Sequence, residues 1–453
     1  MQKKREISEN TSLLVLAGPM FAEMLLSILV NNVDTLMLSH YSENAVGAVG
    51  NANQVMGLVI LMFSIIATAT GVVVSQYLGA KRYEKMNMIY SLVLVVNLVF
   101  GLALSALLMI FKRTCMTVLG VSAEMMPDAL TYMNLVGGFL FLQAGYSVML
   151  QILRCNGHAK VGLYLSVIMN IINIVGNYVF LYGPLRFLNL GVAGVAIPTV
   201  VARATALLLS IIVFYKFGIG RLSIRLLHPF PFRTLVQMVQ IGLPSAGESM
   251  SYNIYQIVLL SFVNSLGNDA VNARVYCNTL IAFASVFSNS VSMATQIVTG
   301  HLVGARKEDA AYRRVWSSLR ISLPITIGLA TVSWLLAPYS LRLFTDNEHI
   351  IQIACGVMLV DILLETGRCL NMTFVCSLKA SGDYVFPLLV GLCTMWGLGV
   401  TVGYGAGILA GMGVAGIFLG TATDEFIRGL IVMGRWKSGK WRGKSIVEKK
   451  IDE

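Results

Sequence analysis

Charge is what this sequence has least of. Only 12% of its 453 residues are Asp, Glu, Lys or Arg, against about 25% in ordinary soluble domains. With 56% hydrophobic residues, the chain cannot clothe a globular surface in charge, and a bilayer is its natural solvent. Other absences narrow the chemistry. The seven cysteines form no CxxC and no paired framework, which leaves them as reduced packing residues. A Walker loop is lacking, so the chain does not hydrolyse ATP. HExxH, GxSxG and a zinc-ligand cluster are lacking too, and the five histidines are dispersed. No enzyme and no cofactor is expected.

What is present are long apolar runs. Val93 to Phe111, Val161 to Tyr182 and Leu388 to Val402 carry almost no charge, and a helix needs roughly 20 such residues to cross hydrocarbon. Runs and polar breaks predict an all-α membrane protein with twelve transmembrane helices, at 12–39, 51–78, 89–111, 128–152, 161–183, 191–215, 234–265, 271–302, 318–344, 350–377, 384–405 and 412–434. The runs are too long and too uniformly apolar for barrel strands. The net charge of +11 would suit nucleic acid, but its placement argues otherwise. Lys81, Arg82, Lys85, Arg154, Lys160, Arg221, Arg225, Arg233, Arg306, Arg313, Arg314, Arg435, Lys437, Lys440 and Arg442 follow even-numbered spans, whereas the opposite loops hold Glu43, Asp269, Asp346 and Glu348. That asymmetry predicts both termini in the cytoplasm, a plasma (inner) membrane location and no nucleic-acid partner. MQKKREISEN has no small-residue cleavage site, so no removable signal peptide is expected.

The chain repeats itself. Pro19 of AGPMFAE and Pro244 of GLPSAGE are 244 − 19 = 225 residues apart. Glu23 and Glu248, Gly79 and Gly304, and Gly157 and Gly382 share that spacing, and GVAG at 191 recurs at 413. Two homologous halves of six spans run in the same direction, so their pseudo-twofold axis follows the membrane normal. The predicted division is an N-terminal six-helix lobe (1–215), a cytoplasmic linker (216–233), a C-terminal six-helix lobe (234–440) and a cytoplasmic tail (441–453). Two such bundles suit transport by alternating access better than a scaffold.

Charges at membrane depth are functional candidates. Asp34 in ILVNNVDTLMLS has no cation at helical spacing. Asn173 and Asn177, spaced i,i+4 in MNIINIVGN, share a helix face. With Thr199 and Asp34 they offer oxygens for sodium; alternatively the carboxylate takes a proton, or the asparagines only bridge helices. Glu248, Asp361 and Glu365 form an acidic set in the second half. Asp361 and Glu365 are i,i+4, with Arg368 three residues on to neutralise Glu365. Glu23 is the counterpart of Glu248 and faces the cleft or a hydrated mouth. Asp424, Glu425 and Arg428 read as local pairing. Pro19 and Pro244 are candidate gating kinks, and some of the 23 methionines would suit an adaptable cleft.

The sequence resembles the multidrug and toxic compound extrusion (MATE) family along essentially its whole length. The resemblance rests on GPMFAEMLLSILVNNVDTLMLS, VVSQYLGAKR, LRCNGHAK before NIINIVGN, LGVAGVAIPTV, GLPSAGES, GHLVGARK and LVDILLETGRCLN followed by LKASGD. It implies a two-lobe, twelve-helix fold and export of small organic cations or drugs in exchange for sodium or protons. It also implies that Asp34 matches the family's span-one aspartate, Asn173 and Asn177 its span-five polar pair, Thr199 a span-six threonine, and Glu248 and Asp361 the acidic pair of sodium-linked members. Arg274 stands where many members have histidine. The partners expected are the drug, the coupling ion and the lipid bilayer, with the chain acting as a monomer. The alternative is a flippase for lipid-linked intermediates, which calls for a cleft rich in cations.

Overall fold

The computed structural model describes residues 7–447 except 8, 10, 40, 41, 185 and 189; the side chains of 31–36, 43, 64, 65 and 186 are also outside the described set. Among the described residues every regular element is helical. The first half holds α1 (Leu13–Ser39), α2 (Glu43–Gly79), α3 (Tyr83–Val118), α4 (Met126–Tyr132), α5 (Leu140–Cys155), α6 (Ala159–Leu181) and α7 (Ala193–Lys216). The second holds α8 (Phe232–Ser265), α9 (Asn268–Gly304), α10 (Glu308–Leu341), α11 (Glu348–Ser381), α12 (Val385–Thr394), α13 (Val400–Tyr404) and α14 (Gly413–Lys437).

Among the described residues nine helical segments are long and apolar enough to cross a membrane, α12 and α13 counting as one. The pair Met126–Gly137 and Leu140–Cys155, bent by 42°, makes a tenth. The remaining two are α8 and α14. They have 34 and 25 residues, beyond the roughly 20 a span needs, but polar side chains such as Glu248, Asp424, Glu425 and Arg428 dilute their apolarity. The result is twelve spans, six in each half. Several helices outrun their apolar cores, because a helix continues where water can again reach its backbone: the run 89–111 lies inside Tyr83–Val118. The break in the fourth span has a local cause, since a π-turn at Met133–Gly137 separates α4 from α5.

The repeat is visible in backbone chemistry. α5 ends with the His158 N–H donating to the Leu153 carbonyl at 2.9 Å, and α11 ends with the Asp383 N–H donating to Leu378 at 2.9 Å. Both caps require a left-handed residue, supplied by Gly157 (φ 81°) and Gly382 (φ 97°). After α2 and α9 the same bond recurs, from Arg82 to Tyr77 at 3.1 Å and from Lys307 to Leu302 at 2.8 Å. Here Lys81 (φ 54°) and Arg306 (φ 60°) hold the left-handed position, at roughly 1 kcal/mol each over glycine.

The described chain falls into two compact units. One comprises Ala22–Leu78 and Arg82–Val239; the other comprises Ile7–Phe21, Gly79–Lys81 and the chain from Gln240 onward. The division thus comes at 239/240 and splits α1 at Phe21. In the first unit the connector is anchored rather than loose: the Arg221 N–H donates to Asn87 Oδ1 at 2.8 Å and the Ser223 N–H to Ser91 Oγ at 3.0 Å, both on α3. In the second unit the segment expected to be a tail is built into the lobe as far as Val447. Trp441 is buried and stacks on Trp436 at 4.0 Å. Lys444 and Arg435 both pair with Asp383, at 2.7 and 2.9 Å. Close approach of α13 and α14 depends on Gly420, where a Cβ would lie 2.5 Å from the Gly399 carbonyl oxygen and the Gly403 backbone.

Candidate functional site

In the first unit, α6 turns Asn173 and Asn177 inward on one face. Asn173 Nδ2 donates to Thr199 Oγ1 of α7 at 2.9 Å, and Asn177 Nδ2 donates to Asn173 Oδ1 at 3.3 Å. Both asparagines are buried. Three of the expected ligands therefore form one chain of amides and a hydroxyl across two helices. Asp34 lies on α1, but its side chain is outside the described residues. One turn on, the Met37 carbonyl accepts from the Tyr182 hydroxyl, which ties α1 to the end of α6. Pro19 lies within α1 and Pro244 within α8, each inside an uninterrupted helix.

Glu23 and Glu248 have partners that their own sequence neighbourhoods do not reveal. Arg154 Nη2 of α5 donates to Glu23 Oε2 at 2.8 Å, and Lys379 Nζ of α11 donates to Glu248 Oε2 at 2.7 Å. Each pair is separated by 131 residues in the chain. A signal does exist: 379 − 154 = 225, so the bases obey the same repeat as the acids. Each half thus carries one ion pair between its first and fourth spans.

The second unit adds a network. Arg428 donates to Asp424 one turn earlier and approaches Glu248 at 4.0 Å. Glu425 accepts from Asn371 Nδ2 at 2.7 Å instead of pairing locally. Arg368 neutralises Glu365 through a direct hydrogen bond. Glu248 therefore has two cations for neighbours, Lys379 and Arg428. Asp361 stands apart. It is wholly buried, and neither carboxyl oxygen has a hydrogen-bond partner among the described residues.

Two basic residues at span depth join the polar set, although only acids and amides stand out as candidates in the sequence. Arg203 lies one turn beyond Thr199 on α7, and Arg274 lies near the start of α9. Each has a buried Nη1 without a hydrogen-bond partner among the described residues. A cation inside an apolar run is the signal that marks them. Among the described residues no group of three His, Cys, Asp or Glu side chains could hold a metal ion.

The sequence profile of the MatE family matches twice, over residues 19–179 and 244–405, in register with the internal repeat. The chain is 35% identical over 443 residues to the uncharacterized transporter YisQ of Bacillus subtilis, covering 98% of this chain and 97% of that one. It is 22% identical to the probable multidrug resistance protein NorM of Thermotoga maritima, covering 98% and 96%. The crystal structure of a mutant of the Vibrio cholerae MATE transporter VcmN superposes with a TM-score of 0.88 at 17% identity, covering 96% of this chain and 98% of that one. The profile spans well over half of the residues, the repeat and the twelve-helix fold agree with it, and the chain is a member of the MatE family of membrane transporters.

Proposed function

We propose that this protein is a secondary active antiporter that exports organic cations in exchange for sodium or protons by alternating access. Asp361 carries the reading. A wholly buried carboxylate with no hydrogen-bond partner among the described residues is tolerable in a low-dielectric interior only when a proton or a bound cation neutralises it. A coupling ion and a cationic cargo that compete for such an acid exchange for one another. Asn173, Asn177 and Thr199, with Asp34 on the neighbouring span, supply hard oxygen donors suited to sodium in the first half. Glu248, Glu365 and Glu23 would then tune the field around the path rather than hold the ion. The multidrug names of the relatives support drug-like cargo. The chain would work as a monomer in the inner membrane with both termini cytoplasmic.

A second reading, export or flipping of an anionic lipid-linked intermediate, draws on one observation: Arg203 and Arg274 have no carboxylate partner among the described residues. One experiment separates the two. Purified protein in proteoliposomes is given a fluorescent organic cation and a sodium or a proton gradient, imposed separately. At least one gradient accelerates counter-movement of the dye, and Asp361→Asn cuts that acceleration by about 5- to 150-fold, the usual range of a coupling free energy. Dye movement that ignores both gradients, with tight binding of anionic lipid-linked sugars, replaces the antiport reading with the second one.

A further inference from the structure

A cavity of about 90 Å³ lies inside the second unit, between α8, α9, α11 and α14. Its polar wall consists of Tyr252 and Gln256 from α8, Arg274 and Asn278 from α9, Arg368 from α11 and Thr421 from α14. Aspartate and glutamate are absent from that wall. The two guanidinium groups are not equivalent. Arg368 is already engaged by Glu365, so its charge is satisfied within the lobe. Arg274 has no carboxylate within 4.0 Å among the described residues. Its Nη2 donates to Gln256 Oε1 at 3.0 Å and reaches the Gln256 carbonyl at 3.4 Å. Its Nη1 is buried and has no partner among the described residues. Gln256 thus orients the guanidinium while leaving its charge uncompensated, and a cation in that position draws an anion.

The rest of the wall suits that anion. The Asn278 amide offers donors. Thr421 Oγ1 accepts from the Tyr255 hydroxyl at 3.3 Å, which leaves the threonine proton to donate. A planar guanidinium with free N–H groups matches a carboxylate. Size sets the class further. Drug-sized molecules occupy pockets of about 300 Å³ or more, and one water takes about 30 Å³, so this space admits a small anion. Asp361, whose buried carboxyl oxygens have no hydrogen-bond partner among the described residues, is not part of the wall.

We propose that this cavity is an anion site in which Arg274, oriented by Gln256, holds a small carboxylate. The carboxylate is either a free ion or one arm of a transported molecule. The site is independent of the cation exchange proposed above, since it makes no use of Asp361.

The test uses the full-length protein in lipid nanodiscs with acetate as the probe. Sodium gluconate, too bulky for the cavity, keeps sodium and ionic strength constant at fixed neutral pH. Acetate raises the Tm of the wild type saturably by about 2 °C, as a ligand of the folded state does. The rise is absent in Arg274→Gln and smaller in Arg274→Lys. No rise in the wild type, or an equal rise in Arg274→Gln, overturns the proposal. Should Arg274→Gln fail to fold, phenylglyoxal labelling of wild-type Arg274, read by peptide mass, gives the answer: acetate slows labelling if the site exists, and an unchanged rate refutes it. Efflux of two fluorescent dyes, one with and one without a carboxylate, then separates the sources. Acetate that slows only the carboxylate-bearing dye assigns the site to cargo, and acetate that slows neither assigns it to a free ion.

Discussion

The two halves are built from the same set of helices and filled with different chemistry. Inside the first unit the described polar groups are mainly amides and hydroxyls, such as Asn97, Asn173, Asn177 and Thr199, with the Glu23–Arg154 pair and Arg203. The second unit packs Glu248, Asp361, Glu365, Asp424 and Glu425 among Arg274, Arg368, Lys379 and Arg428. What both share is one glutamate bonded to one base, at the same separation of 131 residues. A feature kept in both copies belongs to the duplicated frame, where it ties the first span of a half to its fourth. The ions added around it, among the described residues, in only one copy are the candidates for a specialised task. Buried ion pairs are weak evidence for stability in themselves, so a network this dense among the described residues of one half, and not among those of the other, points to function.

The largest effect is expected where the network is most interlocked. Arg428 serves Asp424 directly and Glu248 at longer range. Arg428→Met keeps the volume but strands a fully buried Asp424, and breaking a buried pair from one side costs about 3–5 kcal/mol. Thermal unfolding of the purified protein should show that loss. The double variant Arg428→Met with Asp424→Leu should recover most of it, because the stranded charge is gone. A single variant as stable as wild type would show that the network contributes no more than the first half's amides.

The shared pair sharpens the comparison. Glu23→Gln leaves Arg154 buried with no other carboxylate within 4.0 Å among the described residues, and should cost about 1.5–3 kcal/mol, the worth of a hydrogen bond to a charged group. Glu248→Gln should cost more, since the lost charge faces Lys379 at 2.7 Å and also Arg428 at 4.0 Å. Exchanging the residues, with Glu23→Arg and Arg154→Glu together, should return part of the loss. Equal losses in the two halves would mean that the extra cation beside Glu248 is irrelevant to it.

Much of this architecture is legible in the sequence. Apolar runs of span length and the 225-residue spacing carry the helix count and the duplication, because both depend on chain-local composition. Asn173, Asn177 and Thr199 come together because i,i+4 spacing sets a helix face and the family resemblance names its neighbour. Arg154 and Lys379 obey the same spacing as Glu23 and Glu248, yet each sits near the end of its span beside a basic loop, where positive charge is ordinary and does not stand out as a partner. Contacts between distant spans, such as Asn371 with Glu425, leave no local trace. The burial of Trp441 leaves none either: a short basic segment reads as a solvated tail, and only the stacking of Trp436 on Trp441 and the pairing of Lys444 with Asp383 show otherwise.

The smallest stability effect should come from the amide chain of the first half, and there the comparison turns on transport. Asn173 donates to Thr199 and accepts from Asn177. Interhelical hydrogen bonds in membranes average about 0.6 kcal/mol, because the unfolded chain also finds partners. Asn173→Ala should therefore unfold only about 1–2 kcal/mol more easily than wild type. If the chain merely bridges α6 and α7, gradient-driven efflux should follow that modest loss and be insensitive to the identity of the ion. If it holds sodium, removing one oxygen donor should raise the sodium concentration needed for half-maximal efflux by about tenfold, the equivalent of 1.4 kcal/mol, while leaving any proton-driven component unchanged. Asn173→Asp decides further, since a carboxylate keeps the oxygen and adds charge. It should restore or lower the sodium requirement if an ion is bound, and should disrupt efflux if the position only needs an amide to donate to Thr199. A sodium requirement unchanged in both variants would assign the first half a framework role and leave coupling to the acids of the second.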